Sequence, residues 1–204
     1  MSAWTPALEA RAQALLARYQ EPRSAVGPLL YLAMGHDGGL TEAGVRRVAE
    51  LTGLTLVQVQ SVASFYTMYK EAPGRYLLSV CTSISCHLLG GGEVLAAVEE
   101  ETGVADGRTD AGRLFTVEHV ECVGACGGAP AVQVNYETVE GVTPDQARHL
   151  CRWLREERPA EVRADEMQER FGGQRAFDWG PGDPAGAAAP VPAFEPYGSA
   201  GGPA

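Results

Sequence analysis

Four of the five cysteines in this sequence fall into two pairs, and their thiolates are the side chains best suited to chemistry. Cys81 and Cys86 have four residues between them, and Cys122 and Cys126 have three. Paired thiolates bind zinc and iron–sulfur clusters, and in an oxidising compartment they form disulfides. The sequence therefore predicts either a metal centre or disulfide bonds at these four positions.

The cellular compartment bears on the disulfide alternative, and the spacing of the cysteines bears on the choice between zinc and an iron–sulfur cluster. Charged residues interrupt any secretory signal in the first thirty positions, which argues against disulfides. Zinc ribbons usually hold C-x2–4-C pairs on tight turns, and the gap between Cys81 and Cys86 is at the wide end of that range. Two-iron ferredoxins use a C-x4-C element, but in the plant type the next pair follows closely, whereas 35 residues separate Cys86 from Cys122 here. Spacing favours a [2Fe–2S] cluster and leaves zinc open.

The residues around both pairs are small. A cluster held by four thiolates carries net negative charge, which backbone N–H groups can offset only if they approach closely. Side chains that extend beyond Cβ would block that approach. The small residues in question are Ser83, Ser85, Gly124, Ala125, Gly127 and Gly128.

Composition excludes two classes of partner. The chain of 204 residues has 26 acidic against 16 basic side chains, a net charge of −10, and this argues against binding to nucleic acid. The longest apolar stretch, around residues 27–35, is far shorter than the roughly 20 residues that span a bilayer. We therefore expect no nucleic acid partner and no direct membrane insertion.

The elements that must position the cysteines divide into two regions. Residues 1–72 predict four helices, which begin after Thr5, within 24–34, after Thr41 and after Thr55. The sequence Ala72-Pro73-Gly74 then breaks the helical pattern and predicts a domain boundary. Residues 73–157 predict strands mixed with helices: strands at 75–80, 114–120, 131–136 and 137–140, and helices at 93–101 and from Thr143 onward. The fold class is α+β, with a helical bundle before a small α/β domain.

Residues 158–204 form a C-terminal extension that we expect to be largely flexible. The sequence of residues 160–171 is compatible with a polar helix. Beyond Trp179, nineteen of the last twenty-five residues are Gly, Pro or Ala, and such a composition buries too little apolar surface to offset its ordering entropy.

Three segments, 65–69, 80–86 and 120–132, resemble the 24 kDa subunit family of respiratory complex I. The resemblance covers roughly residues 8–157 and implies a thioredoxin-like ferredoxin domain with a mixed four-stranded sheet, preceded by a helical bundle. Since thioredoxin-like folds often place a cis proline beside the site, it also predicts a cis Ala129–Pro130 bond. It implies four ligands for one [2Fe–2S] cluster, which are Cys81, Cys86, Cys122 and Cys126.

The same resemblance implies a role and partners. The family docks on a flavin subunit that binds NADH and FMN, and the iron–sulfur subunit of the peripheral arm is the next partner. This chain would then exchange single electrons with FMN inside an NADH:quinone oxidoreductase, on the cytoplasmic side of the inner membrane. We expect no catalytic residue and no NADH site in the chain itself, because the glycine run 90–92 lacks G-x-G-x-x-G spacing. NAD-linked hydrogenases and formate dehydrogenases use the same module, and a zinc-stabilised interaction module is the alternative from a different class.

Two further residues have simple interpretations. Cys151 lies on the apolar face of the last predicted helix, which indicates a small buried core residue. His87 directly follows Cys86 but is interpreted as a near-surface residue or as one that supports the ligands without binding metal, because four cysteines already complete a ligand set.

Overall fold

The computed structural model describes residues 4–177 and 186–190. These residues form two compact units, the first ending at Ala72 and the second beginning at Pro73. No helix in this described part of the chain is both long enough and apolar enough to cross a membrane.

The first unit consists of helices whose start signals are present in the sequence. The hydroxyl of Thr5 accepts the N–H of Leu8, and the hydroxyl of Thr41 accepts the N–H of Gly44. Thr55 and Gln58 form a reciprocal capping box. The helices are α1 (Pro6–Leu16), α2 (Val26–Asp37), α3 (Glu42–Thr52) and α4 (Leu56–Phe65), with one 3-10 turn at Pro22–Ala25. The four helices predicted for this region are confirmed.

The second unit is built on a five-stranded sheet. The strands are β1 (Tyr76–Cys81), β2 (Arg108–Thr109), β3 (Phe115–Val120), β4 (Ala131–Val134) and β5 (Glu137–Glu140), in the spatial order β2-β3-β1-β4-β5. β1 pairs parallel with β3, and the other neighbours are antiparallel. The four predicted strands are present. The predicted sheet of four strands was wrong, because it lacked β2. This strand is two residues long, which is too short for an alternating pattern to be visible in the sequence.

The turn between β4 and β5 shortens the third predicted strand. Asn135 and Tyr136 have positive φ angles of 51° and 71°, so the strand ends at Val134 and not at Tyr136. The Asn135 side chain is buried. Its amide oxygen accepts the N–H of Leu77 at 2.9 Å, and its amide nitrogen donates to the carbonyl of Arg75 at 3.1 Å. These bonds fix the turn against the start of β1.

Helices α5 (Ile84–Leu88), α6 (Gly91–Thr102), α7 (Pro144–Glu157) and α8 (Ala164–Phe171) complete the second unit. Its core is apolar and includes Leu78, Val80, Val117, Val132 and Leu150. Cys151 is fully buried in this core, as predicted, and burial raises the pKa of its thiol to about 12.

Helix α8 lies in the predicted C-terminal extension. The predicted polar helix is present, but one of its faces is buried through Met167, Gln168 and Phe171, and the Phe171 ring packs on Trp153 at 5.4 Å between centroids. The part of the predicted flexible tail beyond Trp179 lies outside the described residues, apart from 186–190. There, Ala187 forms an isolated bridge with Val162.

The loop after α6 is held to β3 by one carboxylate. Asp106 accepts the backbone N–H of His119 at 2.8 Å and faces the Nδ1 of the same residue at 2.6 Å. Partial burial alone would raise the pKa of Asp106, but the bonds from His119 outweigh it and leave this pKa below its ordinary value. A carboxyl group with a lowered folded-state pKa stabilises the fold above its unfolded pKa, and that contribution is lost as the pH falls through the folded pKa.

Replacing Asp106 with Asn is therefore expected to lower the free energy of unfolding at pH 7 by about 0.5–1 kcal/mol, since the site is partly exposed. The difference from the unsubstituted protein should shrink as the pH falls below about 4, where aspartate protonates. Urea unfolding at several pH values measures both effects. The exposed Glu156, replaced with Gln, serves as the control. A pH-independent difference would contradict the role given to the carboxylate.

Candidate metal centre

The two cysteine pairs lie at the same edge of the sheet. Cys81 is the last residue of β1, and its register partner Val120 is the last residue of the parallel strand β3. Because parallel neighbours end at the same edge, the segments that follow them emerge side by side. Cys86 lies in the first of these segments, and Cys122 and Cys126 lie in the second.

The structure places all four predicted site residues at this edge of the sheet, as two close pairs. The Sγ atoms of Cys122 and Cys126 are 3.2 Å apart. The Cys86 thiol contacts that of Cys81, and the Cys126 thiol lies near enough to both to interact with them electrostatically. All five cysteines are free thiols. Among residues 4–177 and 186–190, no three His, Cys, Asp or Glu side chains are arranged as the ligands of one metal ion.

The site has a buried side and an exposed side. Cys81 and Cys86 are each 2% exposed and pack against Ala125 and Ala131. Cys122 and Cys126 are exposed. A cofactor held by these four thiols would thus be anchored in the protein on one side and reach the surface on the other.

The thiol pKa values shift in different directions, upward for Cys86 and Cys126 and downward for Cys122. Burial raises the pKa of Cys86 to about 11, with the N–H of Ala131 opposing and the nearby Cys81 adding to this shift. The Cys126 thiol and the N–H of Gly124, at 3.4 Å, both hydrogen-bond to Cys122 and lower its pKa. The contact between the two thiols has the opposite effect on Cys126 and raises its pKa. Because ligands bind metal as thiolates, occupancy of this site requires proton release.

A helix, and not a loop, holds the second cysteine of the first pair. Cys86 lies in the short helix α5, in which the carbonyl of Ser83 accepts the N–H of His87 at 2.9 Å. This turn buries Cys86 and brings the Ser85 hydroxyl to the Cys126 thiol. His87 is exposed, as predicted.

One residue of the glycine run has a role that sequence reasoning missed. Gly91 is the first residue of α6, and a Cβ atom there would lie 2.7 Å from the carbonyl oxygen of Cys81 and 2.9 Å from that of Cys86. A Cβ atom at the next residue, Gly92, would have open space around it. Gly91 therefore lets α6 begin directly against the backbone of both buried cysteines. No spacing rule distinguishes it from its neighbours in the sequence.

The bond before Pro130 is cis, as predicted, and β4 begins at the next residue. The N–H of Ala131, the first residue of β4, hydrogen-bonds to the Cys86 thiol. Gly124, with a positive φ of 88°, directs its own N–H at Cys122. Each cysteine pair thus has a backbone donor aimed at one of its sulfurs.

This donor set fits a [2Fe–2S] cluster. Four thiols from two pairs match its all-cysteine ligation, and the N–H groups of Gly124 and Ala131 would offset the negative charge of the thiolates. The small residues that surround the sulfurs leave room for these donors. Zinc uses the same ligands, so the donor set alone does not separate the two.

The fold and the four thiols define an α+β protein with two cysteine pairs at one edge of its sheet. The family model for the thioredoxin-like [2Fe-2S] ferredoxin matches residues 12–155. This chain belongs to that family. The match ends before α8, so α8 and the residues after it lie outside the family pattern.

Individual relatives agree with this assignment. The chain is 43% identical to an NADH-quinone oxidoreductase subunit of Mycobacterium bovis over 153 residues, which cover 74% of this chain and 61% of the relative. It is 38% identical to NADH-quinone oxidoreductase subunit 2 of Thermus thermophilus over 135 residues, 65% of this chain and 75% of that protein. The matched region thus spans about three fifths of the mycobacterial relative's length.

Among solved structures, the chain resembles an NAD+-reducing [NiFe]-hydrogenase in the air-oxidised state, with a TM-score of 0.61. The two are 18% identical, and the match covers 72% of this chain and 25% of the hydrogenase chain. At this identity the likeness shows the fold alone.

Proposed function

We propose that this chain is the electron-transfer subunit of an NADH:quinone oxidoreductase and binds one [2Fe–2S] cluster through Cys81, Cys86, Cys122 and Cys126. The observation that carries this proposal is the convergence of four thiols at one sheet edge, two of them buried and two exposed. Family membership supports the cluster, and the names of the relatives support the complex.

The residues of the chain have distinct tasks in this function. When bound, the cluster supplies a one-electron redox couple. Cys81 and Cys86 anchor it on the buried side and exclude water there. The N–H groups of Gly124 and Ala131 stabilise negative charge on sulfur, and hydrogen bonds of this kind set the reduction potential together with solvent exposure. The exposed pair lies where an electron can reach a partner.

The partner in this proposal is the flavin subunit that binds NADH and FMN, followed by the iron–sulfur subunit of the peripheral arm on the cytoplasmic side of the inner membrane. Hydride chemistry belongs to the flavin subunit, and this chain accepts and returns one electron at a time. The alternative complexes, an NAD-linked hydrogenase or formate dehydrogenase, would use the same residues in the same way.

Anaerobic reconstitution with iron and sulfide tests the cofactor. We expect equal amounts of iron and acid-labile sulfide, a red-brown protein whose visible absorption bleaches on reduction, and a rhombic EPR signal of the reduced state. A protein that stays colourless and takes up zinc would contradict the proposal and support the interaction module. Reduction by NADH only after the flavin subunit is added would test the electron route.

An apolar surface beside the site supports contact with a protein partner. Ile84 and Leu88 are 79% and 77% exposed and, four residues apart, share one face of α5. Ser85, next to Ile84, reaches Cys126. Exposed aliphatic side chains that lie together in this way often mark an interface.

Replacing both Ile84 and Leu88 with Ser is therefore expected to weaken binding to the flavin subunit by about tenfold or more, since the transfer free energy of two buried aliphatic side chains is lost. The visible spectrum of the cluster should stay unchanged. Val57, which is 77% exposed on α4, provides the matched control when replaced with Ser. Unchanged affinity in the double variant would remove this face from the interface.

A further inference from the structure

The C-terminal arm, defined here as residues 158–177, lies outside the family match and reaches the second cysteine loop, residues 121–128. The arm is attached through α8, which buries Met167 and Phe171 in the core of the second unit. After α8 the chain continues past the end of β5, next to the glycine pair that follows Cys126.

Glu140, the last residue of β5, connects the arm to the loop. Its side chain is buried, and its carboxylate accepts the N–H of Ala176 in the arm at 2.6 Å. The same side chain covers Gly128 so closely that a Cβ atom there would lie 2.8 Å from the Cβ of Glu140 and would overlap its carboxylate. The N–H of Gly141 donates to the carbonyl of Gly128 at 2.5 Å. One carboxylate thus contacts both segments.

A buried amide holds the arm at the same place. The Oε1 of Gln168 accepts the N–H of Glu140 at 2.8 Å, and its Nε2 donates to the carbonyls of Glu140 and Gly173, each at 3.1 Å. The N–H of Gly173 donates to the carbonyl of Glu140 at 2.8 Å. Gln168 therefore satisfies the backbone of β5 and of the arm simultaneously, and fixes where Ala176 lies.

The arm also contacts the loop directly. A Cβ atom at Gly127 would lie 2.9 Å from the Cβ of Ala176 and 3.4 Å from its Cα. Gly127 is the residue after Cys126, so the arm packs against the backbone directly next to a proposed cluster ligand. The φ angle of Gly127 is not positive, so its backbone conformation does not require glycine. The strain expected from Ala at this position therefore comes from its contact with the arm.

We propose that the C-terminal arm, through Glu140 and Ala176, clamps the second cysteine loop and positions Cys122 and Cys126 for cluster binding. This inference rests on the proposed function and deepens it, because it assigns a role to Glu140 and to a segment that the family pattern lacks. Glu140 is a positioning residue that does not touch the cluster itself. The clamp restrains the half of the site in which both thiols are exposed.

The contact between Gly127 and Ala176 offers a reciprocal test. Gly127→Ala should push the loop and the arm apart and make the reconstituted full-length protein lose its cluster to an iron chelator about tenfold faster, the scale expected when support around metal ligands is disturbed. Ala176→Gly alone should lose the cluster at nearly the unsubstituted rate. The double variant Gly127→Ala with Ala176→Gly should recover most of the difference, because the Cβ atom that clashes is gone.

Glu140 provides an independent test. Glu140→Gln keeps an oxygen that can accept the Ala176 N–H, whereas Glu140→Ala removes it. We expect faster cluster loss and shifted EPR g values in the reduced Glu140→Ala variant, and recovery of both toward the unsubstituted protein in Glu140→Gln. The g values report ligand geometry, which a change in global stability alone does not move.

The outcomes separate the clamp from the proposed function. An unsubstituted chain that assembles no cluster contradicts the function. A cluster that forms normally but is lost at the same rate in Gly127→Ala and Glu140→Ala as in the unsubstituted protein overturns the clamp alone, as does a double variant without recovery. If Gly127→Ala does not fold, the double variant and the Glu140 pair decide the question by the same criteria.

Discussion

Replacing Cys122 with Ser is expected to lower the iron and sulfide retained after anaerobic reconstitution by at least about tenfold, or to leave a cluster with a different EPR signal. Serine keeps the size of the side chain but offers a hard hydroxyl oxygen that deprotonates far less readily than a thiol. Cys122 is the exposed ligand whose thiolate is favoured by its neighbours, since Cys126 and the N–H of Gly124 both lower its pKa. Iron and sulfide analysis with EPR of the reduced protein measures the effect.

The fifth cysteine supplies the control for this experiment. Cys151 is fully buried in the core and has a thiol pKa raised to about 12, so it should be inert toward metal and thiol reagents in the folded protein. Cys151→Ala should keep the full cluster spectrum, with only a modest loss of stability from the small cavity. An unchanged EPR signal in Cys122→Ser would remove that residue from the ligand set.

The elements that carry the fold were predictable because their signals are local. Thr5, Thr41, Thr55 and Thr143 each cap a helix where the sequence predicts one, and each side chain accepts an N–H three residues later. The strands β1 and β3 were predicted to within one residue of their observed bounds. The pairing of cysteines at their ends was predictable because each pair follows one of these strands.

Other features depend on tertiary contacts and left no local signal. The helix α5 is five residues long and contains the buried Cys86, so neither length nor periodicity marks it. Gly91 looks like Gly90 and Gly92 in the sequence, and only the carbonyl oxygens of the two buried cysteines distinguish it. The burial of Glu140 and Gln168 depends on the arm folding back onto β5, which composition alone does not indicate.

Replacing Gly91 with Ala is expected to disrupt the buried half of the site. The added Cβ atom would meet the carbonyl oxygens of Cys81 and Cys86 at 2.7 and 2.9 Å, and backbone atoms in a strand end and a helix cannot swing away as a side chain can. Overpacking of this kind costs about 1–3 kcal/mol. Because the atoms displaced belong to two ligands, we also expect reduced cluster occupancy. Thermal unfolding of the cluster-free protein and iron content after reconstitution measure the two effects separately.

Gly92 makes this prediction specific to the close approach. It follows Gly91 in the same helical turn, but a Cβ atom there would meet nothing within 4 Å. Gly92→Ala should therefore be neutral or stabilising by up to about 1 kcal/mol, because alanine loses less conformational entropy in a helix than glycine. The opposite signs of two identical substitutions at adjacent positions would show that packing against the cysteine backbone, and not helix propensity, requires glycine at residue 91. If Gly91→Ala were as well tolerated as Gly92→Ala, the start of α6 could shift away from the two cysteines without cost, and the prediction would be wrong.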